Sequence, residues 1–258
     1  MRQPSPNIFK QILARHLCLA TRLLGALLSC LASAAWAQPH AQEGGQWYLR
    51  GGIHQLAGST SPATLNMGGP VILDGQQTLG AGTGISLSLG KQFTSRKDDG
   101  TASNAWRVEV EALSGTLRRT DVSVGTLVFS PDDSIRVNAI FLNAAYQLTT
   151  SEERYGATRS SLWRTWLGAG VGSAEVDIPK ANNTPSGCNC FNPVKSSGPA
   201  YQVKLAVERQ ISSDNWFLYG QLARLWLPAA STPSATLPQT QYGKLSTNLI
   251  SFGVLKLF

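Results

Sequence analysis

The chain has 258 residues, a formal charge of +7 and only 14% charged residues. Four of its basic residues (Arg2, Lys10, Arg15 and Arg22) come before or at the edge of the apolar stretch Leu23–Ala35 with no acid among them, so the remainder carries about +3 and no dense Lys/Arg run, which removes the case for nucleic acid. No apolar run after Ala37 approaches the roughly 20 residues of a membrane helix, so a helical membrane protein is excluded.

The first element, residues 1–37, reads as a secretory signal peptide. Its basic start and short apolar stretch close on Ala35-Trp36-Ala37, a small-x-small cleavage site before Gln38. An uncleaved anchor and lipidation at Cys30 are the competing routes. Leu28 is bulky for a lipoprotein box, and apolar sequence runs on past Cys30 to the better site. Residues 38–258 then form one domain.

Eight segments of alternating polarity follow, at about 46–56, 82–93, 105–118, 135–148, 161–177, 199–210, 215–227 and 246–258. In the third, Trp106, Val108, Val110 and Ala112 alternate with Arg107, Glu109 and Glu111, so one strand face is apolar and the other charged. The sixth sets Tyr201, Val203, Leu205 and Val207 against Gln202, Lys204 and Glu208. The fourth changes phase, from Ile135/Val137/Ala139 to Leu142/Ala144/Tyr146/Leu148, which predicts a bulge. In the seventh, Gln221 and Arg224 cannot share a face without another irregularity.

A soluble sandwich also alternates in this way. Two further features favour a closed barrel in a membrane. The gaps 57–81, 119–134, 178–198 and 228–245 are longer than the intervening gaps 94–104, 149–160 and 211–214, and antiparallel strands put the two sets at opposite ends. Aromatic residues also start the odd segments and end the even ones, except the sixth, which lacks one. Trp47, Phe93, Trp106, Tyr146, Trp163, Trp216 and Phe258 form a predicted girdle at one level, to which Tyr48, Trp166 and Phe217 add; Phe129, Tyr201, Trp226 and Tyr242 are candidates for the other end.

The last segment, Asn248 to Phe258, resembles the C-terminal signature of bacterial outer-membrane barrels. Ile250, Phe252, Val254 and Phe258 match it, while Lys256 departs and is accommodated by snorkelling. The whole chain after the signal resembles the small eight-stranded group that includes the OmpA-type membrane domain, OmpX and the opacity-like proteins, and Gly168-x-Gly170-x-Gly172 is similar to a strand of that group. The resemblance implies an all-β, eight-stranded, up-and-down antiparallel barrel in the outer membrane, with barrel-assembly machinery, membrane lipid and lipopolysaccharide as partners.

An eight-strand barrel is just wide enough to be filled by its own side chains. Arg50, His54, Arg107, Glu109, Glu111, Gln202, Lys204, Glu208, Tyr219 and Gln221 are the inward candidates. Buried charges must pair, so Glu109 and Glu111 are expected to meet Lys204, and Arg107 to lie near Glu208. His40 and His54 are the histidines left after the signal, with no evident Ser-His-acid set, so catalysis is not expected and His54 reads as a hydrogen-bonded filler. Cys188-Asn189-Cys190 lacks further ligands for a metal. No cofactor motif is present. The expected role is structural or surface-interacting through four outer loops, with a narrow pore and a lipid-modifying enzyme as alternatives.

Overall fold

A computed structural model describes residues 45–68, 70–96, 102–131, 133–155, 159–180, 191–232 and 238–258. The signal segment and Cys188 and Cys190 lie outside the described residues. Thirteen strands follow in order: β1 (Gln46–Leu56), β2 (Ser59–Gly68), β3 (Val71–Leu79), β4 (Gly82–Arg96), β5 (Ala102–Val124), β6 (Leu127–Phe129), β7 (Asp133–Tyr155), β8 (Arg159–Ile178), β9 (Val194–Ser212), β10 (Trp216–Leu227), β11 (Ala230–Ser231), β12 (Gln239–Tyr242) and β13 (Leu245–Leu257).

Eight of them close a ring in which every pair is antiparallel: β1–β4–β5–β7–β8–β9–β10–β13 and back to β1. Each predicted segment falls on one ring strand. The ladders are staggered. Stepping from Val137 through Gly115, Gly84, His54, Ser251, Gln221, Ala206 and Trp166 returns to β7 at Gln147, ten residues along. Stagger and strand tilt are linked in a closed sheet, and the tilt that goes with such a ring is roughly 35–45°.

The bulge expected at the phase change between Ala139 and Leu142 is not there. Ile135, Val137, Ala139, Phe141, Asn143 and Gln147 point inward without a break, and the shift in the β7–β8 ladder comes only at Gln147/Thr149. Both faces of β7 are apolar, but at different heights. Ile140, Leu142, Tyr146 and Leu148 are exposed outward near one end, while Ile135, Val137 and Phe141 fill the interior toward the other. The seventh segment is equally regular: Gln221 is inside and Arg224 outside, its guanidinium donating to Asn248 Oδ1 (2.9 Å) and Ser246 Oγ (2.7 Å).

Of the four long gaps read as loops, 57–81 is largely strand (β2 and β3), β5, β6 and β7 take up much of 119–134, and 228–245 holds the short β11 and β12. Above the ring, β12–β2–β3–β5 repeats the neighbour order of β13–β1–β4–β5 below it. The wall continues past two-residue breaks at Ala57-Gly58, Gly80-Ala81, Pro228-Ala229 and Gly243-Lys244. Glycine and proline weaken a ladder at such points, so the strand bends and then resumes. At the turn into β6, Gly125 takes φ +58° and its amide donates to the Asp74 carbonyl (3.0 Å), a conformation suited to glycine. The opposite, short-turn end joins β9 to β10 through Asn215, also at positive φ.

The exterior carries an apolar belt. On β7 it runs from Ile140 to Leu148, and on β8 from Trp163 to Val171. Beyond it, the outward row on β5 turns from Val110 and Ala112 to Ser114, Thr116 and Arg118. A tilted strand needs about 9–11 residues to cross a bilayer, which these runs approach. Strands of 23 residues, β5 and β7, therefore extend well past the belt.

Candidate functional site

The lumen has two layers. In the half toward the long end, Leu56, Leu113, Leu117, Ile135, Phe141 and Leu225 belong to one continuous apolar cluster. The half toward the short turns holds the charges. Arg50, Arg107, Glu109, Glu111, Lys204 and Glu208 are each no more than 4% exposed, three cations against three anions. Charges removed from water to this degree persist only when matched and hydrogen-bonded.

The structure brings them together in two groups. Arg50 Nη2 donates to Glu109 Oε1 (2.8 Å) and reaches Glu111 Oε1 at 3.4 Å, while its Nη1 donates to Gln221 (3.0 Å). Lys204 donates to Glu109 and to Glu111 Oε2 (3.1 Å). The remaining lone pairs are filled by Tyr48 OH on Glu109 (2.6 Å), by Asn143 on both carboxylates (3.1 and 2.9 Å) and by Gln202 on Glu111 (2.8 Å). In the second group Arg107 pairs with both oxygens of Glu208 and donates twice to Gln92 Oε1 (3.0 and 2.8 Å). Its guanidinium lies 3.7 Å from the centre of the Trp166 ring, and Trp166 Nε1 donates to Glu208 (3.0 Å).

The gap between the groups amounts to about 10 Å³, room for about one water. The β8 glycines make space for the network. A Cβ on Gly170 would sit 1.8 Å from Asn143 Oδ1, and one on Gly168 3.0 Å from the Ala145 side chain. Such a network acts as a polar plug.

Three residues expected in the girdle are inside instead. Tyr48, Trp166 and Phe217 are buried, because each sits one position off the outward row of its strand. Tyr48 has the parity of Arg50, and Trp166 that of Gly168, so the missed signal was strand parity. Trp47, Trp106, Tyr146 and Trp216 are exposed, Phe93 and Trp163 are half-buried, and Phe93 stacks on Trp106 at 4.1 Å. Phe258, after the end of β13, is exposed, as are Ile250, Phe252 and Val254. Of the candidates for the other end, Tyr201 and Trp226 face outward. Phe129 and Tyr242 are buried, the former in a small core with Leu65, Val122, Val124 and Phe191 at the long end.

His54 is no hydrogen-bonded filler. It is buried, and neither ring nitrogen has a partner among the described residues; Ser251, opposite it on β13, has an unpartnered hydroxyl as well. A Cβ on Gly84 would come within 2.3 Å of His54 Nε2, so the ring is packed against the β4 backbone. Among the described residues no cluster of three or more His, Cys, Asp or Glu could hold a metal.

One site had no sequence signal. Arg119, fully buried near the top of β5, forms a bidentate pair with Asp133 and donates to the Pro179 carbonyl (2.9 Å) and toward Tyr242 OH (3.4 Å). One guanidinium thus ties β5 to β7, to the end of β8 and to β12.

No protein-family model and no curated protein matches the chain. Among solved structures it is similar in fold to the outer membrane protein OprG from Pseudomonas aeruginosa, with a TM-score of 0.51 and 14% identity over 84% of this chain and 97% of that one. The outer membrane protease OmpT from Escherichia coli aligns with a TM-score of 0.31 and 12% identity over 83% and 97%, too loosely to bear on the argument.

Proposed function

Because the chain folds as an eight-stranded barrel of the outer-membrane type, we propose that it spans the bacterial outer membrane as a sealed structural barrel and acts through the tube it raises above the surface. The observation that carries this reading is the lumen: a hydrogen-bonded plug of paired charges below and a continuous apolar core above. A side-chain-filled interior leaves function to the exterior. The apolar belt is matched to lipid, the short-turn end to the periplasm and the long end to the cell surface.

The raised tube supports the surface role. Its tip exposes Met67, Val71, Ile72 and Val128, beyond the belt. Export by the N-terminal signal, folding by barrel-assembly machinery and contact with lipopolysaccharide belong to the same reading, which assigns the protein no catalysis.

Planar-bilayer recording of the purified protein tests it. A silent bilayer is expected. Steady conductance that Lys204→Ala abolishes would replace the plug with a pore. Membrane fractionation with a heat-modifiability gel tests the location: the folded barrel should shift in mobility on boiling, and recovery as a soluble periplasmic monomer would end the reading. A lipid mass shift in expressing membranes, lost in His54→Ala, would make it an enzyme.

A further inference from the structure

The belt's short-turn rim repeats one cross-strand pair three times. Trp47 on β1 lies opposite Lys91 on β4, Trp163 on β8 opposite Arg209 on β9, and Trp216 on β10 opposite Lys256 on β13. In each, the cation stands over the indole: Lys91 Nζ is 5.7 Å from the Trp47 ring centre, Arg209 Cζ 5.1 Å from Trp163 and Lys256 Nζ 5.3 Å from Trp216. Lys91 is also 5.4 Å from the Phe93 ring, which is itself stacked on Trp106. Contacts within about 6 Å of a ring centre are attractive. Three ladders on different parts of the ring thus carry the same device at the same level.

Two of these cations have no ion-pair partner among the described residues. The ion pairs among the described residues include neither Lys91 nor Lys256, and Lys256 is steadied instead by donating to the Asp214 carbonyl. The other rim differs. There Arg136 lies opposite Asp177, and Asp177 opposite Lys195, which pairs with Glu175 at 3.1 Å. Arg136 and Lys195 thus each have an acid opposite them on that side, whereas Lys91 and Lys256 are ion-paired with none among the described residues.

We infer that the Trp47/Lys91 and Trp216/Lys256 pairs are binding sites for the phosphate of an anionic phospholipid headgroup in the periplasmic leaflet. The indole fixes the height of the site at the headgroup level and holds the ammonium, and the ammonium meets a phosphodiester whose lipid carries net negative charge. A zwitterionic lipid brings its own cation to the same place and gains less. Lys256, which departs from the apolar pattern of the last strand, is then a ligand of the membrane. The inference rests on the proposed membrane orientation.

Refolding into vesicles of phosphatidylcholine with phosphatidylglycerol, one lipid at a time carrying brominated chains, reads the site through tryptophan quenching. Heat-modifiability of the same sample reports insertion separately, so a barrel that fails to insert counts against the proposed function and not against the lipid preference. Wild type should associate with phosphatidylglycerol about fivefold more strongly than with phosphatidylcholine, the scale of one basic residue at an anionic surface. Lys91→Gln with Lys256→Gln should bring the ratio to about one, whereas Arg136→Gln with Lys195→Gln should leave it unchanged. Lys91→Arg with Lys256→Arg should keep the preference, which separates lost charge from lost folding. Equal quenching by both lipids in wild type, or an unchanged preference in the double glutamine variant, overturns the inference.

Discussion

Replacing Lys204 with methionine tests whether the lumen is one coupled, dry electrostatic unit. The change removes one of the two cations matched to Glu109 and Glu111 while keeping the stem that fills the space. Glu109 then retains Arg50, Tyr48 and Asn143, and Glu111 retains Arg50, Asn143 and Gln202. Both carboxylates stay hydrogen-bonded, but one negative charge is left over in a space with room for about one water. Removing one partner from a buried pair costs about 3–5 kcal/mol, and the surviving donors place this case near the lower figure, about 3 kcal/mol. Neutralising the surplus should recover most of it. Lys204→Met with Glu111→Gln is therefore expected to be more stable than Lys204→Met alone, by about 2 kcal/mol, although Glu111→Gln by itself destabilises. Urea unfolding of the refolded protein in micelles or vesicles, followed by tryptophan emission and heat-modifiability, measures wild type, both single variants and the double variant. A single change costing less than about 1 kcal/mol, with the two changes simply additive, would refute the reasoning, because the charges would then be bathed in solvent.

Three other outcomes follow from the same structure. Arg119→Ala should loosen the raised tube, leaving Asp133 unpaired at a cost of about 3 kcal/mol, and limited proteolysis of inserted protein should cut the long end while the ring stays protected. Gly170→Ala should cost about 1–3 kcal/mol in the same unfolding assay by driving a methyl group into Asn143, and Asn143→Ser should relieve part of that loss; equal effects at Gly168 and Gly170 would contradict the packing. His54→Leu should leave stability unchanged or raise it by about 1 kcal/mol, since two unpartnered nitrogens leave a buried site; a clear loss of stability would show that they are hydrogen-bonded after all.

How far the sequence reaches is clearest on β5. Trp106 to Glu111 alternates so strongly that strand, parity and the inward position of three charges are legible at once. The pairing of Glu109 with Lys204, 95 residues away, could be expected because charges in a closed lumen have nowhere else to go. β7 shows where this reasoning stops. Its apolar residues lie on both faces, and a period-two pattern carries no information about height, so a regular strand crossing from belt to core looked like a broken one. For Tyr48, Trp166 and Phe217 the face was legible, since each lies one position off the outward row; their aromatic character, which suits a membrane interface and a lumen equally well, does not decide it.

Local patterning by itself thus determined the eight ring strands and the polar lining near the short turns, because each depends only on alternation along one segment, while the antiparallel order was legible in the alternation of long and short gaps. The rest needed closure of the sheet. The ten-residue stagger sets which side chains meet across the tube, divides the interior into a charged half and an apolar half, and lines up Arg119 with Asp133 and Tyr242. It also turns stretches rich in Gly, Pro, Ser and Thr, which read as loops, into a continuation of the wall, since their backbone groups pair with neighbours that are distant in the chain.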